Sequence, residues 1–535
     1  MGRSLRRALP ALCCYAAVRL VGLVVLAKWA HQRHLDVWPM LSSEWDSAWY
    51  LRIAEHGYAH VAHGPADLVH GHPDGLGRQA RDLAFFPLYP MLVRALATVL
   101  PGPAAAAGVV LAVLASLVAA WGVFAVGDRL YGRRAGVLLT VLWAALPTGL
   151  VQWMGYTESL FTALAAWSLH AVLTGRWLWA GALAALCGLT RPTGVALATA
   201  VTAAGLVTLW RQWRAGATAA RAARHGGSRG AVCHVRVAVA HGRGTPRGPA
   251  LVTPRARPRG TAGRGRWRPA EPGAPRPEAA ARTVAGGGAD GTGAHPGGAG
   301  TASGSRHGAG AASGGPHGAG ARRDAGTGPG AVAGTGAPGI GTGRHAGAGA
   351  SASAGAGAGP GRAVRVRACS PRVLAGTVLA PAGWLGFLGW VGVRTGRWDG
   401  YFAVQRLWRN QWDGGEETWR RVRELFSHDP TPQLHLVLVT VTLLVSTVLF
   451  VLSALDRQPL PLLVFTGVLL AITLGSGGVY PPRARFLLPG FPLLLPAALV
   501  LARARPRWTA LTVTAAVAVS AYWGAYMLLV WRGAP

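Results

Sequence analysis

The chain has 535 residues, 51% of them hydrophobic and 14% charged, and carries a formal net charge of +33. Soluble domains rarely combine so much apolar content with so few charges. The charge is also uneven, because residues 215–372 hold 22 arginines against Glu271, Glu278, Asp290 and Asp324; a basic segment confined in this way argues against a nucleic-acid-binding fold. The five cysteines, Cys13, Cys14, Cys187, Cys233 and Cys369, show neither C-x-x-C spacing nor an even framework, so no zinc site or disulfide scaffold is expected.

In chain order, apolar runs with few or no charges lie at about 8–29, 103–126, 135–154, 157–174, 177–190, 193–210, 373–393, 433–455, 459–477, 486–502 and 508–530. About 20 such residues cross 30 Å of hydrocarbon as a helix, the form that satisfies every backbone group internally. The pattern predicts an all-α polytopic membrane protein with about 10–12 transmembrane helices. The first run follows Arg3, Arg6 and Arg7, shows no small-residue cleavage site before Lys28, and reads as a retained signal-anchor. Residues 85–101 are apolar but contain Arg94 and three prolines, which predicts a broken or re-entrant element.

Arginine-rich loops stay on the cytoplasmic side. This rule puts the N-terminus, 128–134, Arg176, the basic insert, Asp456-Arg457 and 503–507 inside. It puts the first loop (30–84), residues 155–156, Thr190-Arg191, loop 394–432 and 478–485 outside. The chain divides into an N-terminal membrane region (1–214), a low-complexity insert (215–372) and a C-terminal membrane region (373–535). The insert is mostly Gly, Ala, Pro, Ser and Thr and is expected to stay disordered for want of a core.

The outer loops carry the chemistry-bearing residues. The first reads Glu44-Trp45-Asp46 and continues to Trp49, Tyr50 and Arg52. Its bland reading is an interfacial aromatic belt with solvated ion pairs. Its functional reading is a carboxylate near the headgroups, able to take a proton from a hydroxyl, with rings able to stack on sugar. Glu158 follows Gly155-Tyr156-Thr157 at the start of an apolar run, as a dipole-stabilised first-turn acid or as a site acid. Arg191 lies between two runs. Loop 394–432 repeats the Trp-Asp pair at Trp398-Asp399 and Trp412-Asp413, and Arg485 follows Pro481-Pro482. Either arginine reads as a helix-end anchor or as a fork gripping a phosphate.

The run Trp45-Asp46-x-x-Trp49-Tyr50-x-x-Ile53-Ala54-x-x-Gly57-Tyr58, followed by Phe85-Phe86-Pro87-Leu88-Tyr89-Pro90, resembles the phosphatidylinositol-glycan class V (GPI mannosyltransferase 2) family and its bacterial relatives. Tyr156-Thr157-Glu158-Ser159, Thr190-Arg191-Pro192 and Arg485-Phe486-x-x-Pro489 are similar to that family's later motifs, in the same order. The resemblance covers about 1–214 and 373–535. It implies a C-type membrane glycosyltransferase fold with short helices in the outer loops and a polyprenyl-phosphate mannose donor. It also implies an essential acid at Asp46, with Glu44 as the lesser candidate for that role; Glu158, from its place at the start of an apolar run, is a further candidate acid. Arg485 and Arg191 are then candidates for the donor phosphate, and Trp45, Trp49, Tyr50 and Asp399 for sugar or acceptor contacts. No metal or cofactor is called for, the acceptor does not carry over, and membrane lipids but no nucleic acid are the expected partners. A transporter or flippase of lipid-linked sugars, or a non-catalytic subunit of a transferase, stays open as an alternative.

Overall fold

A computed structural model describes residues 2–58, 78–225, 370–427 and 433–531. Most of the expected insert, and its predicted disorder, lies outside the described residues. Contacts group 1–233 and 361–535 into one compact unit, so the two membrane regions fold together.

The first helix, α1 (Gly2–Gln32), is long enough to span. The first loop that follows is ordered by two short helices, α2 (Val37–Ser42), capped by Asp36 accepting from the Trp38 N–H, and α3 (Asp46–His56). Asp46 opens α3 and His56 closes it, each at the end its charge suits. The apolar stretch 85–101 yields only α4 (Leu88–Ala97). Ten residues rise about 15 Å, half of the hydrocarbon thickness, so the stretch does not cross, as its prolines predict.

Next come α5 (Ala104–Tyr131) and α6 (Arg133–Ala144), the latter bent by 87° into a 3-10 turn at Pro147–Trp153. Then follow α7 (Glu158–Leu173), α8 (Trp177–Gly188) and α9 (Gly194–His225). The C-terminal region contains α10 (Pro371–Leu379), α11 (Ala382–Thr395), α12 (Gly400–Leu407) and α13 (Glu416–Ser427). It continues with α14 (Leu434–Leu455), α15 (Leu460–Gly475), α16 (Arg483–Phe486), α17 (Leu495–Arg503) and α18 (Pro506–Leu529). One two-residue antiparallel pairing, β1 (Gln411–Trp412) with β2 (Ser476–Gly477), ties the second large loop to the end of α15.

The protein is thus an all-α, multi-pass membrane protein, with fewer full-length spans than the apolar runs suggest. Among the described residues six helices are long and apolar enough to cross, seven if the bent pair is counted as one span. The runs at 157–174, 177–190, 459–477 and 486–502 fold into shorter apolar helices. Pro492 and Pro496 break the last of these, and the 12 residues of α8 reach only about 18 Å. The core is built from side chains of nearly every long helix, with Tyr15 stacked on Trp143 at 5.4 Å and Phe161, Phe465 and Phe491 fully buried. Gly181 and Gly376 let the backbones of α8 and α10 touch, since a Cβ on either would strike the opposite chain.

Loops assigned to the same side by charge meet at the same end. Arg7 pairs with Asp128 at 2.8 Å, and Arg134 donates to the Ala504 carbonyl at 3.2 Å. At the opposite end Arg33 donates to the Leu529 carbonyl at 3.3 Å, and the first loop closes over the start of α7.

Candidate active site

Residues 155–157 hold the first loop in place. The Gly155 N–H donates to the Leu41 carbonyl at 2.8 Å, and Ser47 Oγ donates to the Gly155 carbonyl at 3.1 Å. A side chain at Gly155 would crowd Ser47 Oγ at 3.1 Å and the Ser42 carbonyl at 3.2 Å. Tyr50 and Thr157 complete the seam with a hydroxyl pair at 3.3 Å. Trp45, just ahead of α3, takes φ 52°, a left-handed conformation that costs about 1–3 kcal/mol in a bulky residue. The resulting turn lays Asp46 over the first turn of α7.

Four charged side chains from four separate segments converge there. Arg191 Nη1 lies 2.6 Å from Glu158 Oε1, Arg485 Nη1 lies 3.5 Å from the same oxygen, and Arg485 Nη2 donates to Asp46 Oδ2 at 2.5 Å. The chain alternates in sign, Arg191, Glu158, Arg485, Asp46, and sums to zero. Arg191, Glu158 and Arg485 are 9%, 2% and 4% exposed, whereas the Asp46 side chain is 28% exposed and forms the accessible end. The Arg485 guanidinium lies over the Tyr156 ring at 4.8 Å and the Phe486 ring at 5.4 Å. Its Nε and Nη1 make no aligned hydrogen bond among the described residues. Burial opposes its charge, but Asp46 and Glu158 hold the arginine above its ordinary pKa.

Arg485 reaches this position because its neighbours are anchored elsewhere. Buried Arg483, two residues earlier on α16, donates to Thr418 Oγ1 and to the Ser476 carbonyl. The Leu488 carbonyl accepts from Trp143 Nε1 at 2.9 Å.

No family model, curated protein or solved structure matches the chain.

Several residues singled out from the sequence lie elsewhere or are committed to packing. Glu44 is not in the ionic chain but lines a separate cleft with Trp45. Tyr50 is buried, edge-on to Phe85 at 5.2 Å and Tyr89 at 5.1 Å, so it is a wall residue rather than a sugar platform. Trp49 stacks on Phe85 at 5.6 Å and meets Trp408 edge-on at 5.2 Å, joining the first loop to the second. Asp399 sits before α12 and is held by Arg397 at 3.0 Å and Arg406 at 3.1 Å, whose hydrogen bonds pull its carboxyl down to about 2. Those ion pairs account for it without a ligand. Arg191, spent on Glu158, is a partner of that acid rather than an open phosphate ligand. No group of three or more His, Cys, Asp or Glu among the described residues is arranged to hold a metal.

Sequence reasoning missed Arg19, a buried cation midway along α1. It donates to the Ala144 carbonyl, at the end of α6, and to Ser520 Oγ at 3.1 Å; Ser520 in turn donates to the Leu146 carbonyl at 2.8 Å. Carbonyls freed at the 87° break are thereby satisfied. A lone arginine inside an apolar run is the signal that marks such a residue.

Proposed function

We propose that this protein is a membrane glycosyltransferase that moves a sugar, mannose by the resemblance of its motifs, from a polyprenyl-phosphate donor to an acceptor hydroxyl at the outer face. The observation that carries the reading is the ionic chain itself. Its four segments all belong to loops that the arginine pattern assigns to the outer side, and only Asp46 among the four charges is open to an incoming molecule. Burying three of the four charges is costly, and such chains are weak evidence of stability alone; perturbed, partly open clusters of this kind gather at functional sites.

In this reading Asp46 accepts the proton of the acceptor hydroxyl while its oxygen bonds to the anomeric carbon. The bond from that carbon to the phosphate oxygen breaks, and its electron pair leaves with the lipid phosphate. In the free protein the Asp46 carboxylate is engaged by Arg485 at 2.5 Å. A donor phosphate competes for the guanidinium, whose planar fork grips two oxygens, and frees the carboxylate as it binds. Arg485 then faces the charge that grows on the leaving phosphate. Glu158 and Arg191, both buried, keep Arg485 aimed.

The test is incubation of the purified chain with labelled polyprenyl-phosphate mannose and native membrane extract. Label moving into a new product, with release of lipid phosphate, is the expected result; a donor that stays intact over the same interval contradicts the proposal.

A further inference from the structure

A cleft of about 690 Å³ opens beside Trp45, the residue before Asp46. It lies between the ends of α1 and α18 and the start of the first loop. Gln32, Arg33, Glu44, Trp45 and Trp531 line it, with Leu528 and Leu529. It is an open surface cleft, and its volume lies within the roughly 300–1,000 Å³ of small-molecule sites. Resting on the transferase reading, we infer that this cleft is the acceptor subsite and takes a neutral, hydroxyl-rich headgroup.

Three observations carry the inference. The first is chemical character. Arg33 and Glu44 bring opposite charges to one cleft, so it offers an anion no net attraction. Leu35, Met40, Leu528 and Leu529 supply apolar wall beside them. Two indoles and several planar hydrogen-bonding groups match a sugar ring, which presents C–H faces for stacking and hydroxyls at its rim. The Trp531 side chain forms part of the cleft wall. Its ring is steadied by stacking on His435 at 4.4 Å.

The second is position. Trp45 lines the cleft and Asp46 is the next residue, about 3.8 Å away between Cα atoms. An acceptor held against Trp45 is therefore one residue along the chain from the carboxylate.

The third is backbone strain. Among the described residues four non-glycine residues have positive φ, and two of them, His34 at 55° and Trp45 at 52°, line this cleft. Strain of this kind persists where a ligand clamp requires it.

The experiment uses the full chain, made cysteine-free and carrying Gln32→Cys, an exposed position at the end of α1 that borders the cleft. The rate of modification by a bulky maleimide is measured in phosphatidylcholine nanodiscs. Octyl α-mannoside at saturation is expected to slow labelling at least about threefold, and octyl triethylene glycol, of equal chain length, to leave it unchanged. Methyl α-mannoside separates the sources: its protection points to a free sugar, and protection by the octyl compound alone points to a lipid-borne one. Either supports the cleft. Absent protection, or equal protection by the glycol, overturns it. In parallel, Trp531→Ala is expected to raise the apparent KM for octyl α-mannoside about tenfold against a donor KM that does not move. Protection without any transfer leaves the cleft standing and removes the transferase reading; transfer without protection does the reverse.

Discussion

Replacing Glu158 by glutamine tests whether the four charges act as one unit. Glu158 is 2% exposed, 2.6 Å from Arg191 and 3.5 Å from Arg485. When its charge is removed Arg485 retains Asp46 at 2.5 Å, but Arg191 keeps no carboxylate among the described residues. Stripping one partner from a buried pair costs about 3–5 kcal/mol, because the remaining charge is neither solvated nor paired. Glutamine keeps the volume and one oxygen, so a loss near about 3 kcal/mol is expected. Arg191→Gln should cost less, because Arg485 still faces Glu158 at 3.5 Å. The double variant removes both charges and should cost less than the sum, with a coupling of about 1–3 kcal/mol. Reversible unfolding by SDS titration in mixed micelles reads all four corners of the cycle. Additivity within about 0.5 kcal/mol would refute the reasoning, because independent sites add to that margin.

Arg485→Lys keeps the charge but loses the fork, so apparent donor KM should rise about tenfold, and more in Arg485→Ala; an unchanged KM in both assigns the arginine to anchoring. Replacing residues 226–369 with a flexible linker of about fifteen residues should leave a folded membrane protein, because Ser370 returns beside α9, its N–H bonded to Gln212 at 3.0 Å; loss of monodisperse protein on gel filtration contradicts this. In a cysteine-free background, Ser43→Cys should react with an impermeant maleimide in intact cells and Arg505→Cys only after permeabilisation, both positions being exposed. The opposite pattern inverts the sidedness.

Much of the site was legible because it rests on local chemistry in short polar loops. Asp46, Glu158, Arg191 and Arg485 each stand out as charges beside apolar runs. What the sequence could not give is which charge faces which. Up to 439 residues separate the members of the Asp46–Arg485 pair, and nothing local distinguishes Arg485 from Arg483, which turns the other way to anchor on Thr418. Aromatic residues misled for a related reason. Tyr50 and Trp49 have the composition of a sugar platform, but a helical loop has an inner face, and α3 turns Tyr50 into it. Apolar length overcounted full spans because hydropathy does not register a break: the run at 135–154 reads as one helix until Pro147 and the Arg19 cap bend it by 87°. The prolines and Arg94 mark 85–101 as a broken element, and only Leu88–Ala97 of it is α-helical.

The most direct test of the central claim is Asp46→Asn assayed for single-turnover consumption of labelled polyprenyl-phosphate mannose, on protein whose SDS unfolding midpoint matches the parent. Asparagine keeps the size and can still accept from Arg485, but it has no basic oxygen for the acceptor proton. The account predicts a rate about 10²–10⁴ lower at saturating donor, the usual consequence of removing a general base, with a donor KM no higher than the parent's because the phosphate no longer competes with a carboxylate for Arg485. Glu44→Gln, outside the ionic chain, should instead raise acceptor KM and spare the rate at saturation. Near-normal turnover by folded Asp46→Asn protein contradicts the account, since it leaves the accessible end of the ionic chain without a chemical role.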